Sequence, residues 1–201
     1  MDAGHGLDFD HVLGQVATII DPHRVRTVAI THEHLDHVNG LPHWKDLGAA
    51  IVTSPACADK LRIGHDPTSS RHGMDIPTMD VDQEVGNGDH VRLGDRDHAC
   101  ILSPGHSPGS ICYWDEGTGT LFSGDVLFAN GGIGRFDFPD GDLRAHLESI
   151  LRLGRLPVTA LHCGHGPSVD GGAAGRSVQG SVAHVQACVA EARSLPDDIN
   201  P

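Results

Sequence analysis

The feature that most constrains this chain is a short segment crowded with histidine. It follows an apolar β-branched run at residues 27–31 and reads Thr31-His32-Glu33-His34-Leu35-Asp36-His37. Successive side chains of an extended segment alternate between two faces, so His32, His34 and Asp36 should begin on one side. His37 points elsewhere unless the backbone turns. Because imidazole nitrogen and carboxylate oxygen are both good Zn²⁺ donors, the segment can supply ligands to two neighbouring metal ions.

Three later stretches, each following an apolar run, add further candidate ligands. They are His106 in Ser-Pro-Gly-His-Ser-Pro-Gly-Ser at 103–110, Asp125 in Ser-Gly-Asp at 123–125, and His165 in Gly-His-Gly-Pro at 164–167. Together with the His-x-His-x-Asp-His pattern at 32–37, they resemble the signature of the metallo-β-lactamase-fold superfamily. A single Gly-His-Gly or Gly-Asp says little, but four pieces in the family's order are specific. The resemblance covers roughly residues 2 to 168.

Length and composition favour one globular domain. We expect residues 1–201 to form it, with a closing helix at about 176–194 and a flexible tail at 195–201. The formal net charge of −13 argues against a nucleic-acid partner, which needs a concentrated cationic face. No apolar run approaches the ~20 residues that a membrane span requires, and the first residues do not read as a signal peptide. The five cysteines form no C-x-x-C pair, which is typical of a reducing cytoplasm.

The spacing of apolar residues divides the chain into helices and strands. Helices are predicted at 8–20 and 42–47, after the caps Ser54 and Asp142, and at 176–194. Strands are predicted at 27–31, 50–53, 91–93, 99–102, 111–114, 120–122 and 158–161, whereas residues 63 to 83 show no period. Two clusters of strands with interleaved helices fit an α/β fold. The resemblance implies its form, a four-layer αβ/βα sandwich.

The first residues predict an unusual first sheet. Asp2-Ala3-Gly4 resembles a step that follows an opening set of strands in this family, so the first sheet is expected to be shortened at the N-terminus. An exposed edge strand invites pairing with another chain, which makes a homodimer an open expectation. The resemblance also implies that Asp2 braces the segment at 31–37, the metal-binding loop, through hydrogen bonds.

The resemblance assigns the metal ligands residue by residue. It implies that His32, His34 and His106 bind one divalent ion, that Asp36, His37 and His165 bind a second, and that Asp125 bridges the two. Zinc is the expected metal, with iron or manganese as alternatives. In such a site a metal-bridging hydroxide attacks a carbonyl carbon, and Asp36 has a second, catalytic role in accepting or returning the proton.

The segment after Asp125, at residues 126–137, is similar to the substrate-binding segment of glyoxalase II and of its relative, the persulfide dioxygenase. Glyoxalase II hydrolyses the thioester of hydroxyacyl-glutathione, so the expected partner is a small-molecule thioester. Arg135 falls where a cation of that family contacts glutathione, and its alternative is an internal ion pair with Asp137. Asp137 itself replaces a tyrosine of typical glyoxalase II, and one helix with a short tail is expected in place of its long helical C-terminal domain, so the similarity is to short glyoxalase-II-like members.

Three other functions remain open at this stage. The first is an iron-dependent persulfide dioxygenase that uses His32, His106 and Asp125. The second is a lactonase or β-lactamase that applies the same hydroxide attack to a ring. The third is a non-catalytic, metal-stabilised binding domain. Cys163, two positions before His165, is atypical and is either a packing residue or a modulator of the site.

Overall fold

The computed structural model describes residues 1–71 and 73–194, so the predicted tail at 195–201 lies outside the described residues. The α-helices of these residues are α1 (Phe9–Ala17), α2 (Leu35–Val38), α3 (Leu41–Asp46), α4 (Pro55–Ile63), α5 (Pro67–Ser70), α6 (Leu143–Leu153) and α7 (Gly172–Ser194). The strands are β1 (Thr27–Ala29), β2 (Ala50–Thr53), β3 (Gln83–Glu84), β4 (His90–Leu93), β5 (Arg96–Leu102), β6 (Ile111–Asp115), β7 (Thr120–Gly124), β8 (Ala160–Cys163) and β9 (Val169–Asp170). None of the described helices is both long and apolar enough to cross a bilayer.

The strands form two sheets of unequal size. The first has three parallel strands in the order β1-β2-β3, and the second has six in the order β4 to β9. Neighbouring strands of the second sheet are antiparallel except for the parallel pair β7 and β8. Within the described residues β1 has no strand partner on the side away from β2, where the backbone N–H of Asp2 donates to the Ala29 carbonyl at 2.9 Å. The homodimer stays a prediction.

Alternation along the strands divides the core into three apolar layers. In β1, Val28 faces the helices α1, α3 and α4, while its neighbour Ala29 faces the second sheet. In β6, Tyr113 lies between the sheets, whereas Cys112 packs towards α6 and α7. Helices, sheet, sheet and helices therefore succeed one another, and the predicted four-layer αβ/βα sandwich is confirmed.

The capping signals in the sequence correctly mark two helix starts. The Ser54 hydroxyl accepts a hydrogen bond from the Cys57 N–H at 3.2 Å at the start of α4. The Asp142 carboxylate accepts one from the Ala145 N–H at 2.9 Å at the start of α6. These bonds satisfy backbone donors that the first helical turn leaves without partners.

Several predicted boundaries were wrong by a few residues. Helix α1 ends at Ala17, before the predicted limit of 20, and α7 begins at Gly172 rather than at 176. The last long strand starts at Ala160 instead of 158, because the N–H groups of Thr159 and Ala160 both turn towards the Gly119 carbonyl. The segment at 63–83, predicted to be irregular, contains α5, whose first turn is capped by Asp66.

Candidate functional site

The ligand-bearing segments each leave the end of a strand and meet at one place. The segment 31–37 follows β1, His106 follows β5, Asp125 follows β7, and His165 follows β8. Because β7 and β8 are parallel, their carboxyl ends lie at the same edge of the second sheet. The first sheet joins this edge through a hydrogen bond of 2.8 Å from the Ile111 N–H to the Thr31 carbonyl.

The backbone turns inside the histidine segment, which settles the direction of His37. Helix α2 begins at Leu35, so the chain is no longer extended where Asp36 and His37 follow. As a result His37 does not point away from the other candidates: its Nε2 atom lies 3.3 Å from Nε2 of His165.

Three buried histidines form the first donor group. Nδ1 of His34 lies 3.1 Å from Nε2 of His32 and 2.9 Å from Nε2 of His106. The other ring nitrogen of His106, Nδ1, donates to the Arg135 carbonyl at 2.7 Å, which leaves Nε2 without a proton. A bare nitrogen held towards two other imidazoles is the arrangement that a metal ion satisfies.

The second donor group consists of Asp36, His37 and His165, with Asp125 between the two groups. Nε2 of His165 lies 3.0 Å from Oδ2 of Asp36. Asp125 reaches both groups: its Oδ1 lies 3.5 Å from Nε2 of His37, and its Oδ2 lies 3.7 Å from Nε2 of His106. Single donor atoms within 4.8 Å of one another define three metal-sized clusters at this site: His32, His34, His106; His32, His37, Asp125; and Asp36, His37, His165.

Asp2 braces this arrangement, as the family resemblance implies. Its carboxylate accepts hydrogen bonds from the Thr31 N–H at 2.7 Å, from the Thr31 hydroxyl at 2.9 Å and from Nδ1 of His37 at 2.9 Å. The first bonds fix the start of the metal-binding loop, and the last turns Nε2 of His37 towards Asp36 and Asp125.

The protonation of these histidines suits metal binding. Burial lowers the pKa of His34 and of His106 to about 4, so both rings are neutral near pH 7 and present lone pairs. Burial also opposes a charge on His37, but the Asp2 carboxylate, followed by Asp125 and Asp36, raises the pKa of His37 to about 9. The site therefore favours positive charge at Nε2 of His37, which a proton or a metal ion can supply. Oδ1 of Asp125 is buried and has no hydrogen-bond partner among residues 1–71 and 73–194, which fits the same donor role.

Two glycines provide space that the donors need. The register of β7 against β8 shifts between Phe122 and Gly124, and Gly124 adopts a φ of +49° immediately before Asp125. A Cβ atom at Gly164 would lie 2.1 Å from Oδ1 of Asp125 and 2.9 Å from Cε1 of His37. The residue before His165 must therefore be glycine if the two donor groups are to stay close.

A cavity of about 360 Å³ opens over the donors. Its walls combine donor residues with apolar and hydroxyl side chains: His34, Leu35, Asp36, Thr68, Ser69, His106, Asp125, Phe128, Ile133, Arg135, Phe138 and His165. The ring of Phe138 lies edge-on to those of His34 and His106, at centroid distances of 5.3 and 5.6 Å. Thr68, Ser69 and Phe138 were missed by sequence reasoning. The Asp66-Pro67 pair before Thr68 carries a helix-start signal that could have found the first two.

Arg135 lies on the cavity wall but already has an acidic partner. Its Nε and an Nη atom donate to the two carboxylate oxygens of Asp137 at 2.9 and 2.8 Å, and its guanidinium carbon lies 4.5 Å from the ring centroid of Phe138. Both charged side chains are exposed. The internal pair that sequence reasoning kept as the alternative is therefore present, and a substrate carboxylate would compete with Asp137 for this cation.

The sequence profile of the metallo-beta-lactamase superfamily matches residues 2–165. The chain belongs to this superfamily. Among its relatives, a hydroxyacylglutathione hydrolase of Bartonella quintana is 32% identical over 142 residues, which cover 70% of this chain and 49% of that protein. Among solved structures, the B3 metallo-beta-lactamase BLEG-1 superposes with a TM-score of 0.72 at 27% identity, over 87% of this chain and 83% of its own.

A second structural neighbour is itself a metal-bound protein. TTHA1623, crystallised in a di-iron-bound form, superposes with a TM-score of 0.67 at 29% identity, over 86% of this chain and 84% of its own. The metallo-β-lactamase-fold chain described here has His-rich candidate metal clusters at the site. It spans about half the length of the hydroxyacylglutathione hydrolase that it matches, which the substrate assignment must take into account.

Proposed function

We propose that this superfamily member is a binuclear metallohydrolase that cleaves thioesters of the hydroxyacyl-glutathione type. The observation that carries the proposal is the pair of donor groups, joined by Asp125, at the floor of a cavity of about 360 Å³. A binding domain stabilised by metal would not need donors that open onto a cavity of substrate size. The open cavity therefore favours a catalytic role for the bound metal over a purely structural one.

The donor set fits two divalent ions. His32, His34 and His106 would hold one ion, Asp36, His37 and His165 the other, and Asp125 would bridge them. Neutral imidazoles with a minority of carboxylates suit zinc, and iron or manganese fit the same ligands. Two ions bound in this way lower the pKa of water and polarise a carbonyl oxygen, which is the chemistry that hydrolysis of an acyl group requires.

The protein's own residues have distinct tasks around that chemistry. The carboxylate of Asp36 belongs to the second donor group and also lines the cavity, where it can accept a proton from the attacking water and give it to the leaving thiolate, which departs as the thiol. Phe128, Ile133 and Phe138 make one wall apolar and exclude bulk water from the reacting acyl group. The hydroxyl protons of Thr68 and Ser69 are donated to Asp140 and Asp66, and their oxygens can still accept a hydrogen bond from the hydroxyl group of a hydroxyacyl chain.

The thioester assignment is supported by the similarity to a hydroxyacylglutathione hydrolase and by the place of Arg135 on the cavity wall. A guanidinium is well suited to a glutathione carboxylate. The expected partner is a small molecule, and a reducing compartment such as the cytoplasm is consistent with five cysteines that are all free thiols in the structure.

The test combines metal analysis with substrate comparison. Purified protein is analysed for zinc, iron and manganese by mass spectrometry and assayed with lactoyl-glutathione beside a lactone and a β-lactam. We expect close to two metal ions per chain, preferred hydrolysis of the thioester, loss of activity after chelation and recovery with added metal. His106→Ala should remove activity, whereas His23→Ala, at an exposed histidine that belongs to neither donor group, should not. Full activity after exhaustive chelation would overturn the proposal.

A β-lactam ring is the second candidate substrate, favoured by the similarity to the BLEG-1 lactamase. The same assay decides between them, because the catalytic efficiencies for thioester and β-lactam are measured on one preparation. Oxygen uptake with glutathione persulfide, measured on iron-loaded protein, tests the dioxygenase alternative. Oxygen consumption without thioester hydrolysis would replace the hydrolase with an oxidoreductase.

A further inference from the structure

A buried ion-pair network lies behind the cavity, outside the donor groups. Its centre is Lys60 of α4, one of only two lysines in the chain. The ammonium group lies 3.3 Å from Oε1 of Glu33 and 3.0 Å from Oδ1 of Asp66, and it also donates to Asp140. The Glu33 and Asp66 side chains are fully buried, and that of Lys60 is 16% exposed. Removing the cation would leave buried carboxylates without a counter-charge, which is costly.

The acids of this network belong to three different segments of the site. Glu33 lies in the metal-binding loop and accepts hydrogen bonds from the Ser107 hydroxyl at 3.1 Å and from the Gly109 N–H at 3.3 Å. It therefore links the loop of His32 and His34 to the loop that carries His106. One side chain thus connects the two segments that supply the three-histidine group.

Asp66 connects Lys60 to the hydroxyl-bearing wall of the cavity. Its Oδ2 accepts hydrogen bonds from the N–H and the hydroxyl of Ser69, at 2.8 and 2.7 Å. The Ser69 oxygen in turn accepts a bond of 3.2 Å from the N–H of Leu35 in the metal-binding loop. Helix α5 is therefore held against that loop by side chains that Lys60 neutralises.

Asp140 connects Lys60 to the aromatic wall. It lies two residues after Phe138, and its second oxygen accepts a hydrogen bond from the Thr68 hydroxyl at 3.3 Å. Lys60 itself is absent from the described residues that line the cavity. Its contacts nevertheless reach Thr68, Ser69 and the loop of Phe138, which are cavity walls from separate parts of the chain.

We propose that Lys60 is a positioning residue. Its ion pairs hold the segment that carries Phe138 and Asp140 against α5 and the metal-binding loop. They thereby set the shape of the substrate cavity. The inference rests on the proposed function for its substrate, because it concerns the cavity of the same site. Among the three acids, Asp140 depends most on Lys60, since Glu33 and Asp66 each accept backbone hydrogen bonds as well. Loss of the Asp140 pair should therefore release the aromatic wall and leave the metal-binding loop in place.

The decisive variant is Asp140→Asn, which keeps the side-chain size and removes the charge. We expect KM for the hydrolysed substrate to rise about 3- to 10-fold with kcat within about twofold, because the wall loses its position while the donors keep theirs. Zinc affinity, measured by competition with a chelating dye, should stay unchanged. Lys60→Met should raise KM at least as much and also weaken zinc binding, since Glu33 loses its counter-charge.

The matched control is Lys45→Met, at the other lysine. Lys45 pairs with Asp82 at 2.7 Å on the surface, where both side chains are about 40% exposed. This variant should leave KM, kcat and zinc affinity unchanged. A fall in kcat at constant KM in Asp140→Asn would overturn the proposal.

A measurement without substrate separates this proposal from the proposed function. In protein labelled with fluorophenylalanine, the five phenylalanines give separate ¹⁹F signals, and Phe138→Leu identifies one of them. We expect Asp140→Asn to shift or broaden the Phe138 signal and to leave that of Phe9 in place. An unchanged Phe138 signal would overturn the positioning role even if the thioester is hydrolysed. If the protein hydrolyses no thioester, the proposed function fails while this measurement still decides the role of Lys60.

Discussion

Nδ1 of His37 donates a hydrogen bond of 2.9 Å to Oδ2 of Asp2, a residue 35 positions earlier in the chain. The bond fixes the imidazole so that Nε2 faces the carboxylates of Asp36 and Asp125, each 3.5 Å away. A carboxylate that orients a histidine in this way raises its basicity and fixes its tautomer. Asp2, which belongs to neither donor group, therefore controls the orientation of the His37 ring.

Replacing Asp2 with alanine should weaken metal binding. We expect Asp2→Ala to reduce zinc affinity by about 10- to 100-fold, as the loss of such outer partners typically does. Competition with a chelating dye measures the change. Asp10→Ala, at an exposed acid in the first turn of α1, removes the same charge as a control. An affinity within twofold of the parent protein would contradict the bracing role.

Asp36 and His37 should differ in their effect on catalysis. Both belong to the second donor group, but Asp36 lines the cavity and can exchange protons with substrate, whereas His37 is buried behind it. At matched metal occupancy, Asp36→Ala should therefore lose at least about 10-fold more kcat than His37→Ala, in line with the usual gain from general acid–base catalysis. Equal losses of kcat in the two variants would contradict the proton-transfer role of Asp36.

The metal-free protein should lose stability on both sides of neutral pH. Burial lowers the pKa of His106 from 6.5 to about 4, so its contribution is present above pH 6.5 and is lost as pH falls towards 4. For His37, burial opposes the charge but Asp2 raises the pKa to about 9, so its contribution is present below pH 6.5 and is lost as pH rises towards 9.

Urea unfolding of chelator-treated protein across this pH range measures both limbs. We expect each group to account for about 1–3 kcal/mol of the free energy of unfolding. His106→Asn should flatten the acidic limb, and Asp2→Ala should flatten the alkaline limb. A free energy of unfolding that does not change between pH 5 and pH 9 would show that these histidines titrate normally.

Releasing Arg135 from Asp137 should improve binding of an anionic thiol carrier. Both oxygens of Asp137 are engaged by the guanidinium, so Asp137→Asn leaves one cation on the cavity wall without its acidic partner. We expect KM for lactoyl-glutathione to fall about 2- to 5-fold, the range of an exposed ion pair. KM for an uncharged thioester is the internal control and should not move. An equal change for both substrates would point to cavity shape rather than charge.

A methyl group at Gly164 should separate the donor groups. Gly164→Ala places a carbon against Asp125 and His37, and we expect zinc affinity to fall by at least about 10-fold because donor geometry is lost. Gly166→Ala is the matched control: its φ of +83° makes alanine strained, but no atom in the described part of the chain lies within 4 Å of the new carbon. It should cost about 1 kcal/mol of stability without weakening metal binding.

Local patterns in the sequence predicted most of the fold. The apolar run at residues 111–114 and the caps Ser54 and Asp142 are short-range signals, and they marked β6, α4 and α6 within a few residues. Helix α5 escaped because a helix of four residues has no measurable period. Only its Asp66-Pro67 start is visible in the sequence.

The cavity walls could not be predicted in the same way. The pair between Lys60 and Asp140 joins residues 80 positions apart, and nothing in either local segment indicates the other. Phe138 takes its place against His34 and His106 through such long-range contacts. The resemblance supplied candidate ligands because a family motif records long-range geometry, which composition and periodicity do not.

The two halves of the sandwich each contribute part of the donor set. Residues 32–37 extend from the first sheet, whereas His106, Asp125 and His165 extend from the second. Bound ions would therefore cross-link the halves without a covalent bond, and resistance to unfolding would rise with free metal concentration. Metal supply would then determine how long each molecule persists as well as how fast it works.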